Sequence, residues 1–115
     1  MNVTIYHNPK CSKSRQTLEL IRKQGIEPEI IEYLKAPPNI KTLDNILGLL
    51  QIEPRDLMRR KETPYKENKL DNQTLTRKQL IKAMVDNPIL IERPIVLANG
   101  KAAIGRPPEQ VLSIL

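Results

Sequence analysis

Val3-Thr4-Ile5-Tyr6-His7-Asn8-Pro9-Lys10-Cys11-Ser12-Lys13-Ser14-Arg15 passes from one backbone period to another. Val3 to Tyr6 combine β-branched and aromatic side chains that suit a strand, and Asn8-Pro9 stops that strand in a turn. From Ser12 onward, Ser14, Thr17, Leu18 and Ile21 recur at i, i+3, i+4 and i+7, the spacing of one helix face. Arg22 and Lys23 complement the carboxyl end of that helix, and Gly25 ends it. The pattern predicts a strand over residues 2–6 and a helix from about Ser12 to Gln24. Pro28, Glu29, Ile30, Ile31, Glu32 and Tyr33 then read as a second strand. Strand, helix and strand in so short a stretch form a βαβ unit, whose strands pair in parallel.

Beyond this unit, Pro37-Pro38 breaks the chain, and Leu43, Ile46, Leu47 and Leu50 mark a helix starting near Asn39. Pro54 suits the first turn of a short third helix. Residues 59–74 are charged, contain Pro64 and lack a period, which predicts mainly surface loop. Thr76 opens a further helix through Leu80, Met84 and Val85 that ends near Asn87-Pro88. Pro94, Ile95, Val96 and Leu97 predict a third strand, Asn99-Gly100 is a two-residue hairpin turn, and Lys101 to Ile104 return as the fourth. A last helix should begin near Pro107 or Pro108 and pack Val111, Leu112 and Leu115. The order is β-α-β, a helical insertion, then β-β-α. It predicts an α/β domain over residues 1–115 with a mixed four-stranded sheet and an insertion at about 39–87.

Composition narrows the function. The 115 residues carry a net charge of +6 and are 39% hydrophobic, with Tyr6, Tyr33 and Tyr65 as the only aromatics. An aromatic surface for stacking bases is therefore not expected, and nucleic acid is not read as a partner. The longest apolar run, Ile95 to Ala98, falls far short of the roughly 20 residues of a membrane helix. No basic region followed by an apolar stretch stands at the N-terminus, so a soluble, cytoplasmic protein off the membrane is expected. A single cysteine excludes an internal disulfide and a self-contained dithiol cycle. The 19 Lys plus Arg against 13 Asp plus Glu favour anionic partners without specifying them. No metal-ligand set is read.

Cys11 is buried filler, a stray thiol or a nucleophile, and its setting separates these. Polar neighbours on both sides, a breaker before it and Arg15 one helical turn on do not describe a core position. Backbone N–H groups at a helix start have no intrahelical acceptors and favour negative charge, so a thiolate at Cys11 would be stabilised. Lys10 and Lys13 add positive potential. The expectation is a thiol of lowered pKa beside an anion site, suited to attack on a tetrahedral oxyanion. His7, the only histidine, could tune the thiolate or donate a proton, or be a surface group at a strand end. Ser14 could hydrogen-bond the thiolate or be an ordinary polar helix residue. Arg93 and Arg106 each precede a proline, which fixes them in non-helical backbone, and Pro94 at a strand start is a candidate cis residue.

These segments carry a resemblance. His7 to Arg15, Leu18 to Ile21, Tyr33-Leu34, Leu57-Met58-Arg59 with Pro64-Tyr65, Asn87 to Val96 and Gly105-Arg106-Pro107 resemble the glutathione- and glutaredoxin-linked arsenate reductases, almost end to end. The resemblance implies a thioredoxin-like fold with a helical insertion. It makes Cys11 the nucleophile, gives Arg59, Arg93 and Arg106 the binding of arsenate and its thiol adducts, and places Ser14 and Arg15 at the anion-binding helix start. It further makes His7 an influence on the thiolate and Pro94 the cis-proline. Implied partners are arsenate or a similar oxyanion, glutathione as co-substrate and glutaredoxin, with no bound cofactor. Having no second cysteine, the chain needs an outside thiol to resolve its adduct. Two alternatives share the fold: a glutathione-dependent thiol reductase without arsenate activity, and a non-enzymatic regulatory interaction domain. The regulators' usual CxxC pair is absent, with Ser14 in the place of the second cysteine.

Overall fold

β1 (Val3–Tyr6) lies inside a four-stranded sheet, between β2 (Glu29–Ile31) and β3 (Ile95–Ala98), with β4 (Lys101–Ile104) at the far edge. The computed structural model describes residues 2–115. β1 pairs in parallel with β2, as the crossover through α1 (Ser12–Lys23) requires, and antiparallel with β3, which pairs antiparallel with β4. Asn99 and Gly100 turn that hairpin with φ of 54° and 71°. Both central residues of this turn need positive φ, which asparagine and glycine tolerate best.

The chain divides into two compact units, one formed by the residues up to Ala36 with Arg93–Leu115 and the other by Pro37–Glu92. In the first, strand alternation sends Val3 and Ile5 to one sheet face. The register sets them opposite Ala98 and Val96. Leu18 and Ile21 of α1, with Val111 and Ile114 of the C-terminal 3-10 helix Pro108–Ile114, complete this core. Ile5, Ile21, Val96 and Val111 are fully buried, so truncating any of the larger ones to alanine would cost about 2–5 kcal/mol.

The second unit is the helical insertion. α2 (Ile40–Leu50) is capped by the Asn39 side chain, which accepts from the Thr42 amide at 2.8 Å. α4 (Arg77–Asp86) opens on a reciprocal cap between Thr76 and Gln79 and packs on α2 through a core that includes Leu43, Ile46, Leu47, Leu80 and Met84. Pro54–Leu57 is a 3-10 turn, as is Pro88–Leu90. An isolated antiparallel bridge, Met58 to Ile91, closes the unit, with the Arg59 amide on the Leu90 carbonyl and the Glu92 amide on the Leu57 carbonyl.

Two expectations change. Residues 59–74 are not mainly loop: α3 (Thr63–Glu67) forms there, started by Pro64 in its first turn. Its apolar content is too low to show a period over five residues. The C-terminal segment is a 3-10 helix rather than an α-helix, and it buries Val111 and Ile114 while Leu112 remains 39% exposed. With three residues per turn, i and i+3 eclipse, so Val111 pairs with Ile114 and Leu112 turns outward. Otherwise the element order is the one expected, an α/β thioredoxin-like sheet with its helical insertion between β2 and β3.

Candidate active site

Sheet register assembles the site. Tyr6 pairs with Ile95 and Ile95 with Ile104. Continuing the β3–β4 register two residues past the strand ends sets Arg93 opposite Arg106, at the sheet end where β1 gives way to the Cys11 loop. Arg93–Pro94 and Arg106–Pro107 are both cis peptides.

The loop is tight. The Asn8 side-chain oxygen accepts from the Lys10 amide at 3.0 Å, and the Asn8 carbonyl accepts from the Cys11 amide at 3.0 Å. Cys11 is thereby the N-cap of α1, in extended backbone, with its carbonyl accepting the first helical bond from Arg15. α1 has no acidic residue in its first turn, leaving the positive end of the helix to the sulfur.

Cys11 is buried, 8% exposed, and two arginines reach its sulfur. Burial pushes the thiol up. The Arg93 side chain, by hydrogen bond and by charge, and the Ser14 and Lys13 backbone N–H groups oppose this and outweigh it, so the thiol lies below its ordinary value. Arg106 places Nη1 at 4.0 Å from Sγ and also donates to the Arg93 carbonyl at 3.3 Å.

His7 is no surface group: it is 6% exposed, with Nδ1 2.6 Å from the Ser14 hydroxyl. That hydroxyl already accepts from the Asn8 amide at 3.1 Å. We assign its proton to Nδ1, which leaves the imidazole proton on Nε2. Burial lowers the His7 pKa, helped by Arg22 and Arg15 and opposed by Glu32, so the ring is neutral near neutral pH. Ser14 therefore serves the sulfur with its backbone and His7 with its side chain.

Arg15, expected at the anion-binding helix start, donates through Nη1 to the Pro9 carbonyl at 2.9 Å and so braces the loop from outside. Arg59 lies in the helical unit, its Nε 3.2 Å from Glu62 and its Nη1 3.0 Å from Glu92. Sequence reasoning did not find these two carboxylates. The i+3 spacing of Glu62 was a weak available signal, and the Met58–Ile91 bridge that brings Glu92 across was not. Sequence reasoning quoted Gly105 without reading its packing role: an added Cβ there would run into the Thr17 side chain and the Pro94 ring.

Chemically, Cys11, His7, Ser14, Arg93 and Arg106 are brought together around a thiol of lowered pKa that faces N–H donors and guanidinium groups. An oxyanion bonded to the sulfur would meet the same donors. Among the described residues no group of His, Cys, Asp and Glu could hold a metal ion, and no helix is long and apolar enough to cross a membrane.

Known proteins are similar to this chain in sequence and fold. The ArsC family profile matches residues 6–114. Uncharacterized protein YfgD of Escherichia coli (strain K12) is 57% identical over 98% of this chain and 96% of its own. An arsenate reductase of Neisseria meningitidis serogroup A is 47% identical over 98% of this chain and 97% of its own. The solved structure of an arsenate reductase from Vibrio cholerae superposes with a TM-score of 0.97 at 52% identity, covering 100% of this chain and 98% of the other. With the profile spanning nearly its whole length, the chain belongs to the ArsC family.

Proposed function

We propose that this protein is an arsenate reductase using glutathione and glutaredoxin. The observation that carries the reading is the lone Cys11 thiol, held below its ordinary value beneath the convergent Arg93 and Arg106 guanidinium groups. The Cys11 thiolate forms an S–As bond while an As–O bond breaks, and that oxygen leaves as water after protonation. Arginines and helix-start amides hold the remaining arsenate oxygens. Glutathione condenses on the same arsenic. Two electrons then pass to arsenic(V) as the glutathione sulfur leaves in a mixed disulfide with a glutaredoxin thiol. Water then hydrolyses the Cys11 S–As(III) bond, its oxygen going to arsenic and its proton to sulfur, so that arsenite departs and the Cys11 thiol is restored. Supporting the need for outside thiols, the chain has one cysteine only.

In this reading Arg93 and Arg106 bind the oxyanion, His7 and Ser14 keep the helix start in shape for the thiolate, and Arg15 braces it. Arg59 takes the oxyanion-binding role that the resemblance gives it. The setting is the cytoplasm, where thiols stay reduced.

The test couples the protein, arsenate, glutathione and glutaredoxin to glutathione reductase and follows NADPH. Arsenate-dependent loss is expected, abolished by Cys11→Ser. Arsenate-independent loss would make the protein a thiol reductase, and no turnover at all would remove the enzymatic reading.

A further inference from the structure

We infer that the groove on the outer face of α1 binds the thiol co-substrate, a small zwitterionic peptide of the glutathione type. The inference rests on the proposed function for the identity of that thiol, while the groove is a feature of the sheet unit by itself. Its volume is about 370 Å³, within the usual range of small-molecule sites. One wall is Arg15, Glu19, Leu20 and Lys23 of α1, and the other is Pro108 and Glu109.

Three observations point to this class of ligand. The first is position. Both walls begin close to the Cys11 loop: Arg15 stands one helical turn after Cys11, its amide on the Cys11 carbonyl at 3.0 Å, and Pro108 follows two residues after Arg106, whose Nη1 is 4.0 Å from Sγ. A ligand lying in the groove would have one end within about a helical turn of Cys11. The second is length. Arg15, Glu19 and Lys23 succeed one another by a helical turn, a rise of about 12 Å from first to last. An extended tripeptide spans about 10 Å. The third is charge. Glutathione carries two carboxylates and one ammonium group. The groove offers Arg15 and Lys23 for the former and Glu19 and Glu109 for the latter, with Leu20 and Pro108 against the methylenes between. Among the described residues, Glu19, Lys23 and Glu109 enter none of the ion pairs, although Glu19 and Lys23 are four apart on one helix.

S-methylglutathione, which cannot react, is the probe. Titrated into the 15N-labelled protein, it should shift amides of residues 15–23 and 109–110. Lys23→Glu and Glu109→Lys, both at exposed positions, should weaken binding about 5- to 10-fold. In the coupled assay the same variants should raise the glutathione KM by a similar factor, with arsenate KM and kcat at saturating glutathione within about twofold. Shifts confined to other surfaces, or no shifts at millimolar probe, would overturn the assignment. So would an unchanged glutathione KM in variants that still turn over, which leaves the proposed function standing. A changed glutaredoxin KM with an unchanged glutathione KM would give the groove to the protein partner instead and overturn it too. Groove shifts without arsenate turnover would support the subsite and sink the arsenate reading.

Discussion

Arg106 and Arg59 sit in the two units of the chain and are held in opposite ways. Arg106 divides Nη1 between the Arg93 carbonyl and the Cys11 sulfur. Arg59 uses Nε and Nη1 on the carboxylates of Glu62 and Glu92. A carbonyl fixes a guanidinium without cancelling its charge, whereas two carboxylates largely cancel it. The sheet unit thus turns a guanidinium toward a sulfur, while Arg59 in the helical unit is paired with carboxylates. Mutations should respond accordingly.

The largest effect belongs to the sulfur: Cys11→Ser should lower arsenate turnover by at least about 10³-fold, with the thermal midpoint close to wild type. Next come the arginines on it. Arg93→Ala should reduce kcat/KM for arsenate by about 10²-fold and move the inflection of the iodoacetamide alkylation rate to higher pH, because a hydrogen bond and a charge that favour the thiolate are removed. Arg59→Ala should leave that inflection where it is, because the Arg59 guanidinium is paired with Glu62 and Glu92. An equal shift in both variants would erase the distinction between the two units.

Gly105→Ala tests the frame under the site. Its methyl would press on Thr17, whose hydroxyl bonds the Lys13 carbonyl at 2.8 Å, and on Pro94. About 1–3 kcal/mol of stability should be lost, read from the urea midpoint.

Acid should destabilise the protein through the same site. His7 has a lowered pKa in the fold, so as pH falls through about 6.5 the unfolded chain takes up its proton first and stability drops. The Cys11 thiol is lowered too, and its contribution, present above the unfolded value, is lost as pH falls through the folded one. Urea midpoints across pH should fall toward acid, less steeply in His7→Gln. A midpoint that rises toward acid would contradict both shifts. The smallest effect is expected at Glu62→Gln, about 0.2–1 kcal/mol, since this pair remains about a quarter exposed.

Where the chemistry is local, the residues alone disclosed it. Asn8-Pro9 ends a strand, Ser12 starts a helix, and Cys11 falls between them, which fixes its place at a helix start whatever the remainder does. The Asn99-Gly100 hairpin was legible for the same reason. α3 was not, because a five-residue helix is shorter than the window in which a period can be counted. Nor was the 3-10 form of the last segment, which depends on how Val111 and Ile114 meet the sheet core.

Sequence by itself therefore determined the order of the four strands and the longer helices, the single thiol and its position at the amino end of α1, since each follows from contacts within a few residues. Tertiary structure decided which cations meet the sulfur. Arg15 is near in sequence yet bonds Pro9, while Arg93 and Arg106 arrive from far along the chain. The β1–β3–β4 register places them at one end of the sheet, and pairing between distant strands leaves no mark on the neighbourhood of Cys11. The burial of His7 behind Ser14 was decided in the same way.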